Sequence, residues 1–314
     1  MTTATPRSTK RDTPKRRIGV IMGGPSAERE VSLRSGRRVV DALLGRGYDA
    51  VALDWTGADS NLWSELRRER VEVAFIALHG TLGEDGCVQG LLECCAIPYT
   101  GSSVLASALA MDKVASRRVF DQECIESPRW CVYRGAADVQ RIGFPLVVKP
   151  SREGSSIGVS IVHSQEYLDA ALATARRLHG VVLIEEYVRG REIEVAVLDG
   201  EVLGEVEIQP VTEFYDYSAK YQRSDTKYLV PAPLSAVERQ LVHDLGRRAH
   251  AALGCTGVTR TDLLLTERGR AVCLEVDTLP GLTERSIVPK IAEQCGLSFP
   301  ELCERILASA ALKA

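Results

Sequence analysis

The stretch Val258 to Gly281, VTRTDLLLTERGRAVCLEVDTLPG, constrains the fold more than any other part of the chain. Apolar and polar residues alternate on either side of Glu267-Arg268-Gly269-Arg270, the pattern of two strands joined by a short turn. A turn centred between Arg268 and Gly269 sets Asp262 opposite Glu275. Side chains two apart on a strand share a face, so Asp277 joins that pair and three carboxylates gather on one patch. Two like charges about 4 Å apart repel by roughly 4 kcal/mol at an effective dielectric near 20, so a bare patch of this kind opposes folding. A bound divalent cation removes the conflict. All-oxygen donors suit Mg²⁺ or Mn²⁺, and Mg²⁺ takes a few protein oxygens and completes its octahedron with water and phosphate. A solvated hairpin face satisfies the same alternation.

The hairpin is a small part of a chain of 314 residues, a length that predicts two or three domains rather than one core. A net charge of −3 supplies no basic excess to displace counterions, which argues against a nucleic-acid partner. The nine cysteines sit mostly in apolar surroundings without paired CxxC elements, as expected of reduced thiols in the cytoplasm. Neither an apolar run of roughly 18 residues nor a signal-peptide core is present, so no membrane association is expected. Residues 1–17, rich in Thr, Pro, Lys and Arg, read as a disordered tail.

From Ile18, IGVIMGG is a short buried strand closed by two glycines. Val39, Val40, Leu43 and Leu44 then recur at helical spacing until Gly45 and Gly47. Strand, glycine turn and helix open a parallel α/β unit, which binds ligands beyond the carboxyl ends of its strands, where Glu28 lies. A second strand, VEVAFIALHG, brings His79 to the same edge. Further on, a helical stretch carries Asp112-Lys113, and the strand PLVVKP closes on Lys149. The loop Ser151–Gly158, with Ser155 at its centre, either offers amides and hydroxyls to phosphate or serves only as a hairpin turn. It is no Walker loop, because the lysine precedes the glycines and no helix follows. VVLIEEY ends in Glu185 and Glu186, followed by Val188 and, in the next strand, Glu192. That segment suits a purine edge or a solvent-facing strand end. Residues 213–229 hold four of the nine tyrosines without helical or strand periodicity and read as a lid with Lys220 and Tyr221 at its centre. Past the hairpin, the turn Thr278–Thr283 offers amides to an anion, and Ser286 lies just beyond.

GGPSAEREVSL, HGTLGEDGCVQGLLE, PYTGSS with MDK, VVKPSREGSSIGVS, YDYSAKY, RTDLLL, LEVDTLPGLT and SIVPK follow in this order. Together they closely resemble the D-alanine–D-alanine ligases, members of the ATP-grasp ligases, over roughly residues 18 to 310. The resemblance implies an α/β, three-domain ATP-grasp fold: a Rossmann-like substrate domain over 18–101, a central domain over 102–186, and a C-terminal domain over 187–314 with the metal site and lid loop. It implies a cytoplasmic homodimer that makes D-alanyl-D-alanine for peptidoglycan from two D-alanines and ATP through an acyl phosphate. By the same resemblance Glu28, Ser155 and His79 attend the first D-alanine, and Lys113 and Lys149 bind phosphates. Glu185, Glu186 and Val188 hold the adenine, and Glu192 the ribose. Lys220 approaches the γ-phosphate, Tyr221 locks the lid through Ser155 and Glu28, and Arg260 and Gly281 stabilise the oxyanion. Ser286 receives the second D-alanine, and Asp262, Glu275 and Asp277 hold two Mg²⁺ or Mn²⁺ ions.

Asp277 departs from the family, which usually carries asparagine there; an oxygen ligand survives but the site gains negative charge. Tyr221 stands where relatives making D-alanyl-D-lactate commonly carry phenylalanine, so the hydroxyl favours the dipeptide. Another ATP-grasp carboxylate–amine ligase would lose the AERE, YDYSAKY and SIVPK elements. An ATP-binding regulator without turnover would lose Arg260, Lys220 or a metal ligand.

Overall fold

A computed structural model of the chain describes residues 16–57, 60–210 and 225–313. The first fifteen residues of the expected tail, and Lys220 and Tyr221 of the expected lid, lie outside the described residues.

The chain opens with β1 (Arg17–Gly23), α1 (Arg29–Gly45), β2 (Asp49–Trp55), α2 (Leu62–Arg68), β3 (Val73–Ile76) and α3 (Cys87–Cys94). The three strands form a parallel sheet in the order β2-β1-β3. A central parallel strand is covered on both faces, which is why β1 reads as a continuous apolar run rather than an alternation. Ile18, Val20 and Met22 pack with Leu33, Val39 and Leu43 of α1, while Ile21 packs with Leu53, Leu66, Val88 and Leu92 on the other face. β3 is shorter than VEVAFIALHG predicts. Ala77 still donates to the Ile21 carbonyl at 2.9 Å, and the chain then leaves the sheet before His79.

The helical stretch around Asp112-Lys113 is two helices, α4 (Val104–Met111) and α5 (Lys113–Gln122). Asp112 breaks them apart: its backbone is extended and its carboxylate accepts the Val114 and Ala115 amides at 3.0 and 3.1 Å, capping α5. Next come β4 (Trp130–Val132), α6 (Ala136–Ile142), β5 (Leu146–Pro150), β6 (Ser160–Val162), α7 (Gln165–Leu178) and β7 (Val182–Glu186). These strands make a four-stranded antiparallel sheet, β4-β7-β5-β6, in which Leu146, Val148, Val162 and Ile184 pack against Leu168, Leu172 and Ala175 of α7.

The rest of the chain comprises β8 (Arg191–Leu198), β9 (Glu201–Gln209), β10 (Lys227–Leu229), α8 (Ala236–Ala252), β11 (Val258–Leu265), β12 (Ala271–Asp277), α9 (Ile287–Gln294) and α10 (Phe299–Ala308). Its strands form an antiparallel sheet, β10-β9-β8-β11-β12. Ile193, Val195, Val197 and Leu263 face α8, and α4 and α5 add Ala106, Ala110 and Phe120 to that core. The opposite face shares a core with the first sheet, through Ala196, Leu198, Val206, Val288 and Ile291. Glu194 and Asp262, paired across β8 and β11, share this face and look toward the first unit, whereas Glu205 of β9 turns to Arg239 and His243 of α8.

β11 and β12 are the predicted hairpin, and Asp262 does pair with Glu275. The turn is tighter than predicted. Thr266 pairs with Arg270 around a three-residue loop centred on Arg268, with Gly269 at φ +74°, the left-handed position such loops require. One extra residue on β12 between Cys273 and Glu275 then shifts the register back. This bulge restores the pairing that the four-residue turn centred between Arg268 and Gly269 would have produced.

Candidate active site

Three neighbouring strands set Glu194, Asp262 and Glu275 in one row, and the adjacent row sets Arg260 beside Asp277. Glu194 and Asp262 are buried. Arg260 crosses this acidic patch: its guanidinium lies 2.7 Å from Asp262, 2.9 Å from Glu194 and 3.0 Å from Asp277. Burial works against its charge, but Asp262, Glu194 and Asp277 outweigh it and raise the pKa well above the arginine range. Burial also raises the Asp277 carboxyl, against the pull of Arg260. Lys113, at the start of α5, approaches Glu275 at 3.1 Å and donates to the Glu153 carbonyl at 2.7 Å, joining the patch to the serine loop.

That loop leaves β5 directly after Lys149. Ser155 and Ser156 both adopt left-handed backbone, φ +50° and +59°, a conformation costing non-glycine residues about 1–3 kcal/mol and found where geometry is held for function. The Ser155 hydroxyl donates a short hydrogen bond to Glu28 on the first unit, closing the cleft between them. On the other side of β5, Lys149 lies 2.5 Å from Glu185. The second Glu185 oxygen meets Arg117 of α5 at 3.0 Å, and Arg117 also donates to the Cys273 carbonyl. Burial alone would raise the Glu185 pKa; Lys149 and Arg117 reverse that and hold it low. Burial lowers the Lys149 pKa, with Glu185 opposing. Glu186, one residue on, pairs with Arg129 and Arg270 at 2.8 and 3.1 Å. Val188 follows in the connection to β8, where Glu192 sits.

On the first unit, His79 is buried, with Glu84 3.4 Å from one ring nitrogen and Ser35 3.4 Å from the other. Glu84 carries a carboxyl pushed up to about 7, first by burial and then by the Asp277 and Glu28 charges. His79 is also raised: burial lowers it, but Glu84 overrides. Between the ordinary carboxyl value of 4.5 and about 7 the folded chain keeps a proton that the unfolded chain has lost, so this site's contribution to stability falls as pH rises through that window. Glu84→Gln should therefore lose less of its urea-unfolding midpoint than the unsubstituted chain between about pH 5 and about pH 8.

The turn after β12 completes the cleft. Ser286 caps α9, and its hydroxyl accepts from the Thr283 amide at 3.0 Å. A Cβ on Gly281 would stand 2.7 Å from that Ser286 oxygen, so any larger residue there would have to displace the Ser286 hydroxyl from the Thr283 amide. Glu28, His79, Glu84, Lys113, Ser155, Arg260, Glu275, Asp277, Gly281 and Ser286 all line one pocket.

Two family models match the chain: the D-ala D-ala ligase N-terminus over residues 54–102 and the D-ala D-ala ligase C-terminus over residues 119–308. The D-alanine–D-alanine ligase of Anaeromyxobacter sp. (strain Fw109-5) is 50% identical over 305 residues, covering 95% of this chain and 98% of that protein. The chain belongs to the D-alanine–D-alanine ligase family. The crystal structure of the Bacillus anthracis D-alanine–D-alanine ligase superposes with TM-score 0.84 at 35% identity, covering 94% of this chain and 97% of that one. The same ligase complexed with ATP superposes with TM-score 0.83 at 33% identity over the same shares. The α/β, ATP-grasp fold expected from the motifs is the fold of this chain. Among the described residues no helix is long and apolar enough to cross a membrane.

Against a D-alanine–D-alanine ligase, the acidic patch is fitted to a cation by charge. Among the described residues, Glu194, Asp262, Glu275 and Asp277 meet the cationic side chains of Arg260 and Lys113, four carboxylates against these two cations. Among the described residues no three acidic, His or Cys groups already form a metal cluster, and Arg260 and Lys113 lie against the carboxylates. The donors are the hard oxygens that Mg²⁺ and Mn²⁺ prefer. Three site residues escaped the motif reading: Glu84, Glu194 and Arg117. Only Glu194 left a readable mark, as an acid in the middle of the apolar strand EIEVAVL.

Proposed function

We propose that the chain joins two D-alanines into D-alanyl-D-alanine at the expense of ATP. The observation that carries this reading is the single pocket in which Glu28 and Ser155, the Glu275–Asp277 edge, Arg260 and the Gly281–Ser286 turn meet. Glu28, with Ser155 donating to it, would take the ammonium of the first D-alanine, and His79 with Glu84 would border the same subsite. Lys113 and Lys149 would bind phosphate oxygens; Glu185, the backbone of Glu186 and Val188, and Glu192 would hold the nucleoside. Lys220 would meet the γ-phosphate, and Tyr221 would close over Ser155 and Glu28. Asp262, Glu275 and Asp277 would hold two Mg²⁺ or Mn²⁺ ions, which when bound neutralise triphosphate charge.

The first D-alanine carboxylate attacks the γ-phosphorus, and ADP leaves. The neutral amine of the second D-alanine, its carboxylate at Ser286, then attacks the acyl carbon and phosphate departs. Arg260 and the Gly281 amide would carry the negative charge of the tetrahedral intermediate, a donor set whose members are each worth about 10²–10³-fold in rate. No covalent nucleophile on the protein is needed; positioning supplies the rest. The same reading makes the chain a cytoplasmic homodimer in peptidoglycan synthesis, with domains over 18–101, 102–186 and 187–314.

The test is phosphate release from ATP with D-alanine, against L-alanine and D-lactate. Release dependent on D-alanine, with D-alanyl-D-alanine as product, is expected; equal release with L-alanine, or none, would contradict the reading. Asp277→Asn should bind Mg²⁺ more weakly without nucleotide and show a lower KM for ATP, because one negative charge leaves the phosphate site. Calorimetry and steady-state kinetics would show both effects, and no change in either would sink the assignment of Asp277.

A further inference from the structure

Gly281 has no side chain to hold its own peptide, and the glycine backbone is the least restrained of any residue. Helix α1 supplies the restraint from the other unit of the molecule. The Leu282 N–H donates to the Ser35 hydroxyl at 3.1 Å, and the Leu282 carbonyl accepts from Arg38 at 3.0 Å. Both backbone polar groups of the residue next to Gly281 are thus held by one helix. Ser35 is fully buried, and the Leu282 side chain is buried in the shared core. The Arg38 guanidinium lies 3.6 Å over the ring of Phe299 on α10, which fixes it from the opposite side.

We propose that Arg38, seconded by Ser35, is a positioning residue for the ligation, an inference that rests on the function proposed above. It touches no substrate. It holds the Leu282 peptide so that the neighbouring Gly281 amide stays aimed at the developing oxyanion, and it ties that aim to the seating of α1, the helix that begins beside Glu28. Bond-length-scale misplacement of such a donor costs on the order of 10²-fold in rate, while substrate affinity depends on other contacts. A mere packing role would instead show as lost stability.

Arg38→Met and Arg38→Lys separate the two roles. Methionine keeps an apolar contact on Phe299 but cannot donate; lysine keeps a donor within reach of the Leu282 carbonyl. Ser35→Ala is less informative, because that hydroxyl also meets His79. For Arg38→Met the expected result is a kcat about tenfold lower or worse, with KM for ATP and for D-alanine within about twofold, and for Arg38→Lys recovery of most of the loss. Unchanged kcat in the folded fraction of Arg38→Met, with only the unfolding midpoint lowered, would overturn the inference. So would a loss that lysine does not repair. If the unsubstituted chain, assayed alongside, releases no phosphate with D-alanine, the ligase reading fails and takes this inference with it; an active unsubstituted chain beside a fully active Arg38→Met fails the inference alone.

Discussion

Arg260→Met should lower kcat by about 10²–10³-fold and, in metal-free buffer, unfolding free energy by about 3–5 kcal/mol. Two separate losses combine here. On the proposed function, catalysis loses a charged oxyanion donor. Stability loses a cation that lies within 3.0 Å of Glu194, Asp262 and Asp277, so three carboxylates lose a shared ion-pair partner. Millimolar Mg²⁺ should return part of the lost stability, because a divalent ion replaces positive charge at the same patch, but none of the lost rate. Denaturant titrations with and without Mg²⁺, beside steady-state kinetics, measure both. Full stability in the metal-free variant would mean that the carboxylates are not a charged cluster held by Arg260.

Gly281→Ala should cost about 10²-fold or more in kcat/KM while destabilising the fold by only about 1–3 kcal/mol. The added Cβ would sit 2.7 Å from the Ser286 hydroxyl, which is itself bonded to the Thr283 amide. Relief requires moving either the amide at 281 or Ser286, so one of the two substrate contacts proposed above would be lost. The contrast between a large kinetic and a small thermodynamic effect is the signature sought. Activity within about threefold of the unsubstituted chain would show that neither group is in use.

The hairpin was legible in sequence because alternation and a glycine-bearing turn are local signals. Its bulge was not, since nothing in AVCLEVD distinguishes Leu274 as the extra residue. The pairing of Asp262 with Glu275 came out as predicted because the shorter turn and the bulge offset one another. The break at Asp112 was hidden by helix-forming residues on both sides, and only the cap contacts reveal it. Glu84 lies in a glycine-broken loop with no periodicity, and its raised pKa comes from burial and then from Asp277, nearly two hundred positions away. Arg117 reads as an ordinary charge on an amphipathic helix; its burial against Glu185 and Cys273 is purely tertiary. The motifs thus named groups that line the cleft, while several side chains packed against them emerged only from the fold.

The proposed ligation requires that the first D-alanine be activated as an acyl phosphate in this pocket. D-alanine carrying ¹⁸O in its carboxylate, incubated with ATP and Mg²⁺, tests it by mass analysis of the released phosphate. The oxygen that attacks the γ-phosphorus leaves with phosphate when the second amine displaces it, so each phosphate formed with dipeptide should carry one ¹⁸O atom. Unlabelled phosphate would mean that water attacks ATP, and that the residues gathered here do not perform the ligation.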